Sequence, residues 1–172
     1  MRLKGGDSFV FGRGTEEIQY AETFGIETEV VPGITSAIAA PAAAGIPMTH
    51  RNVSRSFWVI TGTNSQNVIN QDIHLAAQSS ATVVILMGMS KLDQIVETFL
   101  KNGKENTPVS IIQNGTTRKE KIGVGTIKSI QEEVANKQLS SPAIIVIGEV
   151  VKESGRFSSF FENDESIQNL RK

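Results

Sequence analysis

The sequence predicts an α/β protein in which helices cover both faces of a mixed β-sheet. Apolar strand-like runs alternate along the chain with helix-like segments, and glycine, proline or asparagine separates them. Two of the runs, residues 82–87 (TVVILM) and 143–147 (AIIVI), are apolar throughout instead of alternating. Continuous apolar runs of this length are typical of strands buried on both faces, which requires a layer of helices on each side of the sheet.

Residues 1–45 are predicted to form a β-α-β-α unit. The first strand is short and ends by Lys4, and residues 15–24 fit a helix with two glutamates in its first turn. Residues 29–31 are predicted to end a second strand, and an alanine-rich helix is predicted over residues 36–45. About 50 residues cannot enclose a hydrophobic core of their own, so this unit is expected to be incomplete.

A second unit is predicted from Ser56 onward. Its predicted strands span residues 57–61, 82–87, 109–113, 121–125 and 143–147, and its predicted helices span residues 72–78, 91–102 and 129–137. Ser90 is expected to cap the second of these helices, with Asp93 in the third position of a capping box, and Gly103 is expected to end it.

We expect the chain to consist of three parts. Residues 1–51 are predicted to be the C-terminal part of an N-terminal α/β domain, residues 52–151 a C-terminal α/β domain, and residues 152–172 a loosely docked tail. The polar and basic residues 47–55 are the expected linker. Domains usually begin with a few dispensable residues, whereas a glycine-rich stretch here starts at Gly5. This predicts that the chain opens inside a truncated first domain; a naturally short edge strand is the alternative.

The composition is that of a globular protein and excludes several function classes. Of the 172 residues, 39% are hydrophobic and 20% are charged, which is too apolar for a disordered chain. The 17 Lys and Arg nearly balance the 18 Asp and Glu, so the net charge offers no attraction to nucleic acid or to a membrane. The absence of cysteine excludes disulfides, thiolate metal sites and a cysteine nucleophile. Neither a bilayer-spanning run of roughly 20 residues nor a signal peptide is recognisable, so we expect a cytoplasmic protein.

The common catalytic motifs are missing. The sequence has neither the G-x-G-x-x-G dinucleotide fingerprint nor the G-x-x-x-x-G-K-[ST] phosphate loop. His50 and His74 lack the spacing of a H-E-x-x-H metal site, so no metal is expected. A G-x-S-x-G elbow is also missing, which leaves no support for a serine hydrolase.

Two long stretches are far more specific than any of these patterns. Residues 2–17 read RLKGGDSFVFGRGTEE, and residues 29–51 read EVVPGITSAIAAPAAAGIPMTHR. Together with the later runs VITGT, VVILMGM, IIQNGT and SPAIIVIGEVV, they resemble the uroporphyrinogen-III C-methyltransferases of the tetrapyrrole (precorrin) methyltransferase superfamily. The resemblance extends from Arg2 to about Val151 and implies the tetrapyrrole methylase fold, with two α/β domains containing mixed sheets.

The chain also departs from the family pattern. Ser8 stands where the family usually has proline, Thr15 where glycine is common, and Thr63 where many members have histidine. The family's N-terminal Gly-Pro-Gly loop has no counterpart, and neither does the segment that carries its proton-transferring Asp and Lys. No catalytic residue can therefore be assigned by resemblance, and we expect the activity of this chain to be impaired and its cofactor binding to be weak.

The resemblance implies that S-adenosyl-L-methionine lies in a cleft between the two domains and leaves as S-adenosyl-L-homocysteine. Gly5 and Gly6 would let the backbone approach the cofactor, Asp7 would accept a hydrogen bond from its methionine end, and Met87 would form a pliable apolar wall. The full set of expected cofactor-binding residues is Gly5, Gly6, Asp7, Val10, Thr35, Ser36, Met87, Gly115 and Ala143. Taken singly, Asp7 fits a turn residue equally well, Thr35 and Ser36 fit helix caps, and Met87 fits a core residue.

The implied substrate is uroporphyrinogen III, a macrocycle bearing many carboxylates. Guanidinium groups suit carboxylates, and Arg2, Lys4, Arg13, Arg51 and Arg55 are expected around the cleft. Arg13 and Arg51 stand inside the strongest motifs, so they are the expected substrate-binding residues.

The implied reaction is methylation of uroporphyrinogen III at C-2 and C-7, which gives precorrin-2 for siroheme or cobalamin biosynthesis. The family also implies a homodimer without nucleic-acid or membrane partners. Two alternatives remain open: another precorrin-type methyltransferase with the same fold, or a non-catalytic fragment that binds the cofactor or dimerises.

Overall fold

One five-stranded mixed sheet organises the protein. The computed structural model describes residues 1–64 and 66–162. The strands are β1 (Phe57–Thr61), β2 (Thr82–Leu86), β3 (Pro108–Gln113), β4 (Lys121–Thr126) and β5 (Ala143–Ile147), and their order across the sheet is β1-β2-β5-β3-β4. The first pair is parallel and the other three pairs are antiparallel. The predicted mixed sheet is therefore confirmed.

Helices lie on both sides of this sheet, as the continuous apolar strands predict. The helices are α1 (Gly14–Glu22), α2 (Ser36–Ala43), α3 (Asp72–Gln78), α4 (Leu92–Lys101), α5 (Ile130–Lys137) and α6 (Ser158–Glu162). Two 3₁₀ turns, Met89–Lys91 and Glu149–Glu153, complete the described elements. The helix limits predicted from the sequence agree with the structure to within two residues.

The alternation of side chains along each strand divides the core into two layers. In β5, Ile145 and Ile147 point to the layer that contains α3, α4 and α5. Ile144 and Val146 point to the opposite layer, where α2, the second 3₁₀ turn and α6 pack. Since each fully buried isoleucine contributes about 1.5–3 kcal/mol through burial, both faces of the sheet stabilise the fold.

The start of α4 differs from the prediction. Ser90 lies inside the 3₁₀ turn instead of capping the helix, and α4 begins at Leu92 without a side-chain cap. Asp93 accepts a hydrogen bond from the side-chain amide of Gln131 at 2.7 Å, so it does not act in a capping box either. The predicted end is confirmed, because Gly103 has a φ of 67°, which a glycine adopts readily.

The two strands predicted before residue 45 are not formed. Residues 1–4 and 29–31 belong to no strand or sheet. A strand requires a ladder of hydrogen bonds to a neighbour, and the nearest backbone bond, from the N–H of Asp7 to the carbonyl of Ile34 at 3.2 Å, lies beyond both segments. The helix α2 packs directly on the large sheet through Ala37, Ala40 and Ala44.

The segment after β5 is more firmly packed than a loosely docked tail. Ser154 and Phe161 are both buried, and Phe161 belongs to the same apolar layer as α2. The rest of the predicted tail, residues 163–172, lies outside the described residues. Within residues 1–64 and 66–162, no helix is long and apolar enough to cross a bilayer.

Candidate functional site

A cavity of about 250 Å³ lies where the glycine-rich segment meets the N-terminus of α2 and the end of β2. Pockets for small molecules usually measure about 300–1,000 Å³, so this one fits part of a cofactor-sized ligand. The residues that line it are Lys4, Gly5, Gly6, Asp7, Val10, Gly12, Thr35, Ser36 and Leu86.

The two loops that form the cavity approach each other too closely for side chains. A Cβ atom on Gly33 would lie 2.9 Å from the carbonyl oxygen of Gly6 and 3.0 Å from the Cα of Asp7. A Cβ on Gly6 would lie 3.2 Å from the carbonyl oxygen of Ile34. Glycine is therefore needed at position 33 for this junction to form, and position 6 leaves little room for any side chain.

The carboxylate of Asp7 fastens the same junction. Its Oδ2 accepts a hydrogen bond from the N–H of Gly33 at 2.9 Å, and its Oδ1 accepts one from the N–H of Phe9 at 2.8 Å. The bond from Gly33, followed by that from Phe9, lowers the pKa of Asp7 below its ordinary value because both favour the ionised form. Asp7 thus shapes the cavity wall, and its oxygens retain further lone pairs for a ligand.

The glycine-rich segment folds back on itself after Asp7. The N–H of Gly14 donates to the carbonyl of Ser8 at 2.9 Å. A Cβ on Gly12 would lie 2.6 Å from that same oxygen, so glycine is required at this point of the loop. Phe11 and Arg13, on either side of Gly12, have φ values of 53° and 55°. The left-handed backbone conformation of these two residues redirects the chain from the cavity wall into α1.

The N-terminus of α2 forms another wall. Thr35 is the cap, and its hydroxyl accepts a hydrogen bond from the N–H of Ala37 at 3.3 Å. Ser36 is exposed at the first position of the helix and also lines the cavity. The partial positive charge of a helix N-terminus favours an anionic or electron-rich group of a ligand here.

Met87 follows β2 in a left-handed backbone conformation and is not among the residues that line the cavity. Its φ is 54°, which is uncommon for a residue other than glycine, and 56% of its surface is exposed. The preceding residue, Leu86, lines the cavity. Next to it, a Cβ on Gly62 would lie only 2.4 Å from the Cα of Gly88, so the turns after β1 and β2 are in direct contact.

One cation lines the cavity. The ammonium group of Lys4 pairs with Glu17, and the guanidinium of Arg2 donates two hydrogen bonds of 3.2 Å to the same carboxylate. These bonds lower the pKa of Glu17, and the bond from Lys4 has the largest effect. Two cations therefore share the carboxylate of Glu17, and the ionised carboxylate of Asp7 balances the remaining positive charge beside the cavity.

The structure separates the remaining predicted residues from the cavity lining. A Cβ on Gly115 would lie 2.6 Å from the Cβ of Ala40, so Gly115 accommodates α2. Ala143 starts β5 opposite Gln113 of β3. Arg13 and Arg51 are exposed and do not line the cavity.

Three lining residues were not among the expected cofactor-binding residues. Lys4 is expected only as one of five cations around the cleft, although its position directly before Gly5 indicates that it lies near the cavity. Gly12 stands inside the FGRG run, and its need for close backbone packing is not visible in the sequence. Leu86 reads as a core residue because its strand is apolar throughout. In the described part of the chain, no cluster of His, Asp and Glu could hold a metal ion.

The protein is an α/β protein with a mixed five-stranded sheet and a glycine-lined cavity at the end of a strand. The model of the tetrapyrrole (corrin/porphyrin) methylases matches residues 1–131. The chain belongs to this family.

Individual relatives agree with this assignment. The chain is 46% identical over 153 residues to a uroporphyrinogen-III C-methyltransferase of Methanocaldococcus jannaschii, and the match covers 88% of this chain and 63% of that protein. It is 44% identical over 154 residues to an S-adenosyl-L-methionine-dependent uroporphyrinogen III methyltransferase of Methanosarcina barkeri, covering 88% and 60%.

A solved structure has the same fold. The uroporphyrin-III C-methyl transferase of Thermus thermophilus, complexed with S-adenosyl homocysteine, superposes with a TM-score of 0.74 at 33% identity. The superposition covers 88% of this chain and 66% of that one. The chain thus spans slightly less than two thirds of the length of these relatives.

Proposed function

We propose that this protein takes part in the S-adenosylmethionine-dependent C-methylation of uroporphyrinogen III, with the cofactor in the cavity described above. One observation carries the proposal. Residues expected to bind the cofactor come from two separate segments, 5–10 and 35–36, and both segments line one cavity. The names of the relatives from two archaea support the substrate.

The residues present fit this cofactor. Gly5 and Gly6 offer backbone groups without side-chain obstruction, as a ligand held by main-chain hydrogen bonds requires. Val10 and Leu86 provide apolar wall, while Thr35 and Ser36 provide hydroxyl groups. When bound, S-adenosylmethionine supplies a methyl group already activated by its positively charged sulfur. Gly115 and Ala143, which the cavity does not reach, remain proposed residues for the adenosine end.

The contribution of this chain to methyl transfer is binding and alignment. With both reactants bound, an electron-rich pyrrole carbon would take the methyl group as the carbon–sulfur bond breaks with its electron pair on sulfur. The macrocycle would then pass a proton to solvent. Since the methyl donor is already activated, holding both reactants in line and excluding water supplies much of the rate increase.

Arg13 and Arg51 are the proposed contacts for the substrate carboxylates. Both are exposed, so they are accessible to a large anionic macrocycle. Arg13 lies at the point where the loop enters α1 and has a left-handed backbone conformation. Lys4 joins these two as a third candidate because it lines the cavity.

Self-association and domain organisation are further parts of the proposal. The segment up to residue 38 exposes many large apolar side chains, namely Leu3, Phe9, Phe11, Tyr20, Phe24, Ile26, Val31, Ile34 and Ile38. Apolar surface of this extent is typical of an interface, which supports a homodimer. We retain residues 1–51 and 52–151 as the proposed parts of two α/β domains, and a cytoplasmic location as a prediction from sequence.

Incubation with methyl-labelled S-adenosylmethionine and several acceptors tests the reaction. We expect label in uroporphyrinogen III, with weak transfer from this chain, and faster transfer after joining it to the preceding segment of an archaeal relative. Preferential labelling of a later precorrin would favour the alternative methyltransferase. Cofactor binding without transfer in either form would favour a non-catalytic module and contradict the proposal.

A further inference from the structure

The C-terminal end of α2 is held by a segment more than 100 residues later in the chain. The buried hydroxyl of Ser154 donates a hydrogen bond of 2.8 Å to the carbonyl of Ala44, across 110 residues. The guanidinium of Arg156 donates one of 3.2 Å to the carbonyl of Ala43. The last carbonyls of a helix have no partner within the helix, and here two side chains satisfy them.

The same residues connect α2 to the turn between β3 and β4. Arg156 Nη2 lies 3.6 Å from Glu120 Oε1, and Glu120 Oε2 accepts a hydrogen bond from the N–H of Thr116 at 3.0 Å. The backbone N–H of Arg156 donates to the hydroxyl of Ser154 at 3.4 Å. Ser154 and Arg156 therefore link three parts of the chain at one end of α2.

The helix itself has few other means of holding its position. Its buried residues are Ala37, Ala40 and Pro41, with Ala44 directly after it, and each alanine buries little apolar surface. Pro41 stands inside the helix and has no N–H, so one bond of the helical ladder cannot form. A helix of eight residues is about 12 Å long, so a tilt about its C-terminal end displaces its N-terminal end.

We propose that Ser154, assisted by Arg156, is a positioning residue for the ligand cavity. By fixing the C-terminal end of α2, it sets where Thr35 and Ser36 lie at the other end, in the cavity wall. The effect on ligand binding rests on the proposed function, whereas the effect on α2 does not.

Ser154→Ala tests the proposal, and Ser110→Ala is its matched control. Both serines are buried, but Ser110 Oγ has no hydrogen-bond partner among the described residues. Hydrogen exchange of the amides of residues 37–39, measured relative to that of Ile111 in the sheet, separates local opening of α2 from global destabilisation. We expect the relative exchange at residues 37–39 to rise about three- to tenfold in Ser154→Ala and to stay unchanged in Ser110→Ala.

The second measurement is the affinity for S-adenosylhomocysteine. We expect about three- to tenfold weaker binding in Ser154→Ala and unchanged binding in the control. If the unsubstituted chain binds no S-adenosylhomocysteine, the proposed function fails, and hydrogen exchange alone decides the positioning role. Equal relative exchange at residues 37–39 in Ser154→Ala and Ser110→Ala would overturn the positioning role of Ser154.

Arg156→Met keeps the proposal testable if Ser154→Ala does not fold. This side chain is half exposed, and methionine retains its apolar stem while removing both ion pair and hydrogen bond. We expect a smaller rise in exchange, about two- to threefold, confined to α2. Unchanged exchange in α2 would contradict the role of Arg156 and, without a folded Ser154 variant, the proposal itself.

Discussion

The carboxylate of Asp7 accepts a hydrogen bond from the N–H of Gly33, 26 residues later, at 2.9 Å. This contact joins the glycine-rich segment to the loop that enters α2, and both segments line the cavity. The sequence predicted Asp7 as a ligand for the cofactor; the structure shows that it also fastens the two walls of the site together.

Replacement of Asp7 should weaken cofactor binding. Asp7→Ala removes both acceptors, and Asp7→Asn keeps only one, because the amide nitrogen cannot accept from a backbone N–H. We expect S-adenosylhomocysteine affinity to fall by about an order of magnitude in Asp7→Ala and by less in Asp7→Asn. Calorimetry measures both, and replacement of the exposed Asp93 of α4 in Asp93→Ala is the control. Equal affinities in all four proteins would refute the role of Asp7.

A side chain at position 115 should displace α2. In Gly115→Ala the new Cβ would lie 2.6 Å from the Cβ of Ala40 and 3.1 Å from Ile112 Cγ2. Overpacking of this kind costs about 1–3 kcal/mol in the free energy of unfolding, which urea denaturation measures. Gly155→Ala is the control, because its Cβ would meet no atom within 4 Å.

A second substitution distinguishes a steric clash from a general loss of glycine. Ala40→Gly removes the atom that a Cβ on Gly115 would meet, at the expense of about 1 kcal/mol in helix propensity. In the double variant we expect the two losses to be less than additive. Strict additivity would mean that Gly115 and Ala40 do not contact each other in solution.

Acid should destabilise the junction around the cavity. The pKa values of Asp7 and Glu17 are lowered in the folded protein by hydrogen bonds to their ionised forms. Their stabilising contribution is therefore fully present above the unfolded values of about 3.9 and 4.3, and it is lost as the pH falls through the lower folded values. The free energy of unfolding, measured from pH 7 down to pH 3, should decrease below about pH 4. The decrease should be smaller in the double variant that combines Asp7→Asn with Glu17→Gln. An equally steep acid loss in that double variant would place the responsible groups elsewhere.

Met87 should combine backbone strain with ligand contact. Glycine adopts a φ of 54° without a steric penalty. The free energy of unfolding of Met87→Gly should therefore equal that of the parent or exceed it by up to about 1 kcal/mol. The same change removes the proposed apolar wall and should weaken S-adenosylhomocysteine binding severalfold. Gln138→Gly is the control, because Gln138 has a φ of 52° far along the chain at the end of α5. If both variants bind the ligand like the parent, Met87 is not part of the site.

The large sheet was predictable because its strands carry their own signal. Residues 143–147 are apolar throughout, which predicts a strand with helices on both sides, and β5 is the middle strand of the sheet. The strands expected at residues 1–4 and 29–31 did not form, since a strand also needs a partner that local sequence does not reveal. For the same reason, Ser90 has the residue type of a helix cap and yet lies in a 3₁₀ turn.

The candidate site was predictable only in part. Gly5, Gly6, Asp7, Val10, Thr35 and Ser36 line one cavity, and their role in cofactor binding stays a prediction. The contacts between residues distant in sequence could not be predicted. Gly115 against Ala40, Asp7 with Gly33 and Ser154 with Ala44 depend on how the layers pack, and no local pattern encodes this.

Amide chemical shifts of the ¹⁵N-labelled chain during titration with S-adenosylhomocysteine test the location of the cofactor site most directly. We expect saturable shifts that are largest at Gly5, Gly6, Asp7, Val10 and Ser36, with smaller changes at Met87. Absence of saturable shifts, or shifts confined to the surfaces of α4 and α5, would contradict a cofactor site in this cavity.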